Sequence, residues 1–302
     1  MQIEERIAAL KRERNAIILA HNYQIPAVQD IADFVGDSLE LARRATATDA
    51  DMIIFCGVDF MAETAAILNP EKAVILPDLC SICPMAQQLL SEELRSVQRV
   101  HPEAETVLYV NTRAESKTLA DCICTSANAP AIVRAMDSDV IIFGPDHNLG
   151  YYAQKGSTKK LLIVPEYGNC PSHHLISLEE LEAAKKAHPS AAIIVHPEVI
   201  PEIQERADYV ASTSGMVQVA REIANKELLI GTEIGVLHRL KKEVPGKAYY
   251  PISTNAVCPQ MKMITLPKIL TSLEQEKPRI DLPPAIMERA RWPIERMLAL
   301  SP

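Results

Sequence analysis

Three of the seven cysteines in this 302-residue chain are followed by proline, and they recur at a nearly constant interval. Cys83, Cys170 and Cys258 are separated by 87 and 88 residues. Thiolates bind soft metals, and proline often follows a cysteine ligand in iron–sulfur sites. Three cysteine ligands also leave one coordination position of the metal centre open for another molecule. The pattern therefore indicates a three-cysteine iron–sulfur centre, with buried structural thiols as the alternative.

The other four cysteines do not follow this spacing. Cys56, Cys122 and Cys124 are predicted to be ordinary thiols near strand and helix ends. Cys80 forms a C-x-x-C pair with Cys83, a spacing also found in redox pairs and in half of a zinc site. Because Cys80 has no counterpart in the rest of the chain, we predict no metal role for it. A local disulfide stays open as an alternative.

The same interval governs the apolar segments that must position these cysteines. The apolar stretch at 53–55 recurs at 141–143 and at 228–230. Continuous apolar strands that alternate with helices are typical of parallel sheets covered on both faces. The sequence therefore predicts an α/β fold of three homologous three-layer αβα sandwich domains, each with three strands, around a pseudo-threefold axis. Equivalent Cys-Pro loops then meet near that axis.

The repeat also predicts the domain boundaries. The predicted domains are residues 1–102, 103–189 and 190–264, followed by a C-terminal helical extension at 265–302. Helices are expected near Ile3–Glu13, Leu266–Glu276 and Pro284–Leu300. We expect the last two to be packing elements rather than a domain.

Composition excludes several classes of protein. A net charge of −8 without a basic stripe argues against nucleic-acid binding. The longest apolar runs have about five residues, against the roughly 20 that a membrane helix needs, so we expect no membrane span. The N-terminus lacks a secretory signal pattern, which predicts a cytoplasmic protein. Neither G-x-x-x-x-G-K nor G-x-G-x-x-G occurs, so no nucleotide motif applies.

Polar residues follow the first strand of each unit, where ligands of parallel sheets bind. They are His21 and Tyr23 in the first unit, Tyr109 and Asn111 in the second, and His196 and Glu198 in the third. Such side chains serve as general acids and bases, histidine through its near-neutral pKa. A capping or core role is the alternative for each one alone. Three clusters at equivalent places favour a functional site.

Hydroxyl residues occupy the predicted helix starts at Ser38, Ser126 and Ser212-Thr213. Free N–H groups at a helix start bind anions, and serine and threonine are also common N-caps. Both interpretations stay open at this point. An anion bound there would lie close to the metal.

Several short motifs, taken in order, resemble one known family, quinolinate synthase. They are His21-Asn22-Tyr23-Gln24, Gly36-Asp37-Ser38, Tyr109-Val110-Asn111-Thr112, Cys124-Thr125-Ser126-Ala127-Asn128, Gly144-Pro145-Asp146, Cys170-Pro171-Ser172-His173-His174, Val195-His196-Pro197-Glu198, Ser212-Thr213-Ser214-Gly215-Met216 and Cys258-Pro259. The resemblance runs from about residue 16 to residue 264.

The resemblance implies one [4Fe–4S] cluster per chain, bound by Cys83, Cys170 and Cys258, with one iron not ligated by cysteine. The catalytic residues that it implies are Tyr23, His21, Glu198, Tyr109 and His173. The implied substrate contacts are His21, Ser38, Tyr109, Asn111, Ser126, His196, Glu198, Ser212 and Thr213.

The reaction implied by the resemblance condenses iminoaspartate with dihydroxyacetone phosphate to quinolinate, with release of phosphate and water. The cluster would act as a Lewis acid. An L-aspartate oxidase or an aspartate dehydrogenase would supply the unstable iminoaspartate.

Two alternative functions share parts of the pattern. Isoprenoid diphosphate reductases and diphthamide synthesis enzymes also bind a [4Fe–4S] cluster through one cysteine from each of three domains. The H-N-Y and S-T-S-G-M stretches argue against both. A metal or redox sensor with a three-cysteine site is the non-enzymatic alternative.

Overall fold

A computed structural model describes residues 2–301 and shows an α/β fold with three parallel four-stranded sheets. The first unit contains β1 (Ala16–His21), β2 (Phe34–Gly36), β3 (Met52–Cys56) and β4 (Ala73–Ile75). The second unit contains β5 (Glu105–Tyr109), β6 (Cys122–Cys124), β7 (Val140–Gly144) and β8 (Lys160–Ile163). The third unit contains β9 (Ala192–Val195), β10 (Tyr209–Val210), β11 (Glu227–Gly231) and β12 (Ala248–Pro251).

Helices separate the strands throughout the described chain. Those before β5 are α1 (Ile3–Glu13), α2 (Pro26–Ile31), α3 (Ser38–Ala47), α4 (Asp59–Leu68) and α5 (Ser91–Val100). Those between β5 and β9 are α6 (Ala114–Lys117), α7 (Ala129–Ala135), α8 (His147–Gln154), α9 (Pro171–His174) and α10 (Leu178–Ala187). The remaining ones are α11 (Pro201–Gln204), α12 (Thr213–Glu222), α13 (Val236–Glu243), a short 3₁₀ turn (Gln260–Lys262), α14 (Leu266–Gln275) and α15 (Pro284–Leu300).

The three sheets share one strand order, which confirms the repeat. The orders are β2-β1-β3-β4, β6-β5-β7-β8 and β10-β9-β11-β12, with every pair parallel. The two central strands of each sheet are almost wholly buried, because helices cover both faces. Apolar side chains on both faces of each strand therefore form the core.

The prediction of three strands per unit was wrong, since each unit has four. The second strand, β2, β6 or β10, has only two or three residues. So short a segment carries no detectable alternation of apolar and polar residues. One helix start was also misplaced, because α7 begins at Ala129 and Ser126 lies in the preceding turn.

The two C-terminal helices pack on the first two units, and one of them joins these units. Helix α14 packs against α1, with ion pairs from Arg6 to Glu274 and from Arg14 to Glu276. Helix α15 packs against α4, α6 and β6, and so joins the first unit to the second. The domain boundaries predicted from the sequence stay predictions. No helix within residues 2–301 is both long and apolar enough to cross a membrane.

Candidate active site

A cavity lies at the carboxyl ends of the strands, where side chains of all three units meet. The predicted site residues that line it are His21, Tyr23, Ser38, Tyr109, Asn111, Ser126, His173, His196, Glu198 and Thr213, with the thiols of Cys83, Cys170 and Cys258. Ser212 is the one predicted residue that the cavity wall lacks.

Residues at equivalent positions of the three units form the cavity wall. The last residue of β1, His21, is matched by Tyr109 at the end of β5 and by His196 directly after β9. These three residues are 88 and 87 positions apart. Two residues further on, a second set of equivalent side chains lines the cavity, namely Tyr23, Asn111 and Glu198. Each unit thus supplies two side chains from one strand end.

A third set explains why Ser212 lies apart. Ser38, Ser126 and Thr213 are equivalent, and all three line the cavity. Ser212 is the N-cap of α12, accepting from Gly215 N at 3.2 Å and donating to Asp37 Oδ2 at 2.9 Å.

The equivalent N-cap of α3 is Asp37, whose carboxylate accepts from Leu39 N and Glu40 N. Ser212 is therefore an N-cap, whereas Ser38 is the first residue of α3 and Asp37 caps that helix. The N–H groups that Asp37 and Ser212 bind are not free for an anion.

Glu198 is the centre of the acid–base groups. Its carboxylate accepts from Tyr109 OH at 2.6 Å and lies 2.8 Å from His173 Nδ1. Burial alone raises the pKa of Glu198, but the neighbouring rings of His173 and His196 and the hydrogen bonds from His173 and Tyr109 outweigh burial and lower the pKa to about 2. Glu198 is therefore an ionised carboxylate in a buried cavity.

His173 connects Glu198 to one thiol and to two hydroxyls. Its Nδ1 lies 3.1 Å from Cys170 Sγ, and its Nε2 lies 2.8 Å from Thr232 Oγ1. Thr232 Oγ1 is in turn 2.6 Å from Tyr23 OH. His173 follows its cysteine by three residues, where the other two loops carry an alanine and a methionine. This histidine therefore makes the threefold site asymmetric.

His21 and His196 are neutral near pH 7, which corrects the expectation of near-neutral pKa values. Burial is the main cause that lowers the pKa of both His21 and His196 to about 3. Backbone N–H groups donate to Nδ1 of each ring, from Tyr23 to His21 and from Glu198 to His196. The ring hydrogen must then be on Nε2. Both rings act as hydrogen-bond donors near neutral pH.

At least two of the three cysteine sulfurs lie farther apart than the ligands of a single ion. Among the described residues, only Cys170, His173 and Glu198 form a group of three candidate ligands with all atoms within 4.8 Å of one another. The three cysteines do not form such a group. Sulfur ligands of one tetrahedral zinc would lie about 3.8 Å apart, from Zn–S bonds of about 2.3 Å. The donor set and its spacing fit a cluster of several metal atoms better than one zinc.

Cys80 and Cys83 are both free thiols, and the local disulfide considered from the sequence is not formed. Cys80 is exposed and does not line the cavity, whereas Cys83 does.

Four polar residues near the cavity were not predicted as site residues. Asp37, Ser172 and Glu233 line it, and Thr232 bridges His173 and Tyr23. The repeat offered a signal for Glu233, since acids stand 87 and 174 positions earlier, at Asp146 and Asp59. Thr232 offered none, because its role depends on a contact between two other units.

Comparison with known proteins agrees with this geometry. A family model described as "Quinolinate synthetase A protein" matches residues 5–299. Proteins named quinolinate synthase share 52% identity over 301 residues in Pyrococcus horikoshii and 54% over 296 residues in Thermodesulfovibrio yellowstonii. A third, from Methanocaldococcus jannaschii, is 49% identical over 305 residues, and these matches cover 97 to 100% of each chain. The chain belongs to the quinolinate synthase family.

Proposed function

We propose that this protein condenses iminoaspartate with dihydroxyacetone phosphate to quinolinate, releasing phosphate and water. The observation that carries the proposal is the buried Glu198 carboxylate, held by Tyr109 and His173 in a cavity that three cysteines also line. Ring formation of this kind needs a base, proton donors and polarisation of oxygen atoms in one enclosed place. The membership of the family supports the same activity.

The metal centre that we propose is one [4Fe–4S] cluster held by Cys83, Cys170 and Cys258. Its support is the cavity that the three cysteines share and a sulfur separation above 4.8 Å for at least one pair, which is wider than one zinc allows. When bound, such a cluster with one iron free of cysteine supplies a Lewis acid for oxygen or nitrogen atoms of the substrate.

Glu198 is the general base of the proposal. As an ionised carboxylate shielded from water, it removes protons from carbon or nitrogen of the bound intermediates. Tyr109 orients the carboxylate through its 2.6 Å hydrogen bond. Burial raises the pKa of Tyr109 well above its ordinary value, so the phenol stays protonated and keeps donating.

A chain of short contacts moves protons across the cavity. Tyr23 OH is hydrogen-bonded to Thr232 Oγ1, which is in turn hydrogen-bonded to His173 Nε2. His173 Nδ1 contacts the Glu198 carboxylate. A proton taken by Glu198 can pass through the imidazole to the Tyr23 side of the cavity, where a departing hydroxyl leaves as water. His173 thus serves as the relay and Tyr23 as the terminal donor.

The groups that we propose for substrate binding are neutral hydrogen-bond donors. Nε2–H of His21 and of His196, the amide of Asn111, and the hydroxyls of Ser38, Ser126 and Thr213 line the wall. Such groups bind carboxylate and phosphate oxygens without adding charge. We propose that they hold the dianionic substrate, supplied as iminoaspartate by an L-aspartate oxidase or an aspartate dehydrogenase. A cytoplasmic location fits this role, since thiols stay reduced there.

The test is an anaerobic assay of the purified protein. Iminoaspartate is generated in the reaction from aspartate by an aspartate oxidase, dihydroxyacetone phosphate is added, and quinolinate is quantified by chromatography. We expect about four irons per chain and quinolinate formation without any electron donor. Stoichiometric zinc without iron would overturn the cluster, and a requirement for a reductant would favour a reductase instead.

A further inference from the structure

Each of the three cavity cysteines has its backbone N–H bonded to an acidic side chain of its own unit. The bonds join the amide of Cys83 to Asp59 at 2.9 Å, that of Cys170 to Asp146 at 3.1 Å, and that of Cys258 to Glu233 at 3.2 Å. The three acids are 87 residues apart from one to the next, so this contact belongs to the repeat.

Each acid stands at the start of a helix and accepts a second hydrogen bond through its other oxygen. Asp146 caps α8 by accepting from Leu149 N at 2.6 Å, and Glu233 accepts from Gly235 N at 2.7 Å just before α13. Asp59 is the first residue of α4, and its other oxygen accepts from Gln87 Nε2 at 3.1 Å. Each acid therefore links the start of a helix to a cysteine loop.

Burial makes this use of acids costly. Asp146 and Glu233 are 0% and 1% exposed, and a buried carboxylate costs free energy unless its oxygens are satisfied. Both oxygens of each are used here. The consequence is that the amide of each cysteine is committed to an oxygen of an acidic side chain. It has no hydrogen left to donate to the sulfur atoms of a bound cluster.

We propose that Asp59, Asp146 and Glu233 are positioning residues for the metal centre. They hold the three cysteine loops in place before the cluster is bound, and they withhold each ligand's own amide from its sulfur atoms. Hydrogen bonds to those sulfurs are one determinant of the reduction potential, and their loss makes reduction harder. A cluster that stays oxidised suits a Lewis acid. This inference rests on the proposed function, because it requires the cluster.

The most accessible of the three acids, Asp59, provides the test. In Asp59→Ala the Cys83 amide is released, whereas in Asp59→Asn an amide oxygen can still accept from it and the new NH₂ group can meet a rotated Gln87 amide. We expect Asp59→Ala to bind iron about 10- to 100-fold more weakly and to have a less negative midpoint potential. Asp59→Asn should stay close to the unaltered protein in both. Iron and sulfide per chain under chelator competition, and an anaerobic redox titration, measure the two effects.

A matched control lies in the same loop. Asp78 accepts from the amide of Cys80 at 2.8 Å, and Cys80 does not line the cavity. Asp78→Ala should change neither iron binding nor potential. The inference is overturned if Asp59→Ala behaves like the unaltered protein, if Asp59→Asn loses as much as Asp59→Ala, or if Asp78→Ala matches Asp59→Ala. An unaltered protein that takes up no iron overturns the proposed function and this inference together.

Discussion

Tyr109 donates a 2.6 Å hydrogen bond to Glu198, joining the end of β5 in the second unit to the loop after β9 in the third. A tyrosine and a glutamate also pair on the surface, where Tyr151 donates to Glu205. Both pairs join a tyrosine hydroxyl to a glutamate carboxylate, but only the Tyr109–Glu198 pair is buried and lines the cavity. The surface pair therefore provides matched controls for the buried one.

Replacing Glu198 with glutamine should remove the proposed base. We expect kcat for quinolinate formation to fall by about 10²- to 10⁴-fold, because the amide cannot accept a proton. The cluster absorption spectrum should stay unchanged, since Glu198 is not a predicted cluster ligand. Glu205→Gln is the control and should retain full activity. Undiminished turnover of Glu198→Gln would refute the assigned role.

Replacing Tyr109 with phenylalanine should act through Glu198. One hydrogen bond to a charged group is lost, which is worth about 1.5–3 kcal/mol, so we expect kcat/KM to fall about 10- to 100-fold. The pKa of Glu198 should rise, because one of the interactions that lower it is gone. The measurement is the acidic limb of the pH–rate profile. Tyr151→Phe should leave both rate and profile in place, and an equal loss there would argue against a specific role of Tyr109.

Ser212 and Thr213 should separate stability from substrate binding. Ser212→Ala removes an N-cap and should cost about 1–2 kcal/mol of unfolding free energy with KM unchanged. Thr213→Val removes a hydroxyl from the cavity wall and should raise KM. Thermal unfolding and steady-state kinetics of both variants distinguish the effects. A KM change in Ser212→Ala equal to that in Thr213→Val would restore Ser212 as a substrate contact.

Acid should destabilise the apoprotein through His21 and His196. Their folded pKa values of about 3 lie below the ordinary value near 6.5, so between these limits the unfolded chain binds protons that the folded chain does not. The unfolding free energy is then highest above pH 6.5 and falls toward pH 3, by about 1.4 kcal/mol per pH unit for each histidine. Denaturant titrations at several pH values measure this slope. The double variant His21→Gln, His196→Gln should have a shallower slope, and an identical slope would contradict the assignment.

Lys117 should tolerate glutamine but not methionine. This fully buried lysine bonds the Thr112 carbonyl, and the equivalent residues of the other units are Gln29 and Gln204. Each glutamine bonds the carbonyl five residues before it. Lys117→Gln should therefore keep a hydrogen bond to the Thr112 carbonyl. Lys117→Met should lower the free energy of unfolding by about 1–3 kcal/mol, because it leaves that carbonyl unpaired. Denaturant unfolding measures both, and equal losses would show that the ammonium charge itself is needed.

The sequence alone was sufficient where the repeat was long and the pattern strong. The 87- to 88-residue interval identified the three units, and α1 and α15 have the bounds predicted. It also selected the three cysteines that share the cavity. These features depend on the order and period of residues along the chain. At the level of single residues, the same interval relates Ser38 and Ser126 to Thr213 and not to Ser212.

The tertiary structure decided what depends on contacts between units. It placed His173 between Glu198 and Thr232 of the third unit, and no spacing within one unit predicts such a junction. It made His21 and His196 neutral, because the pKa of a histidine follows from burial and neighbours rather than from its residue type. The sequence thus determined which residues each unit contributes, and the packing of three units determined their protonation and partners.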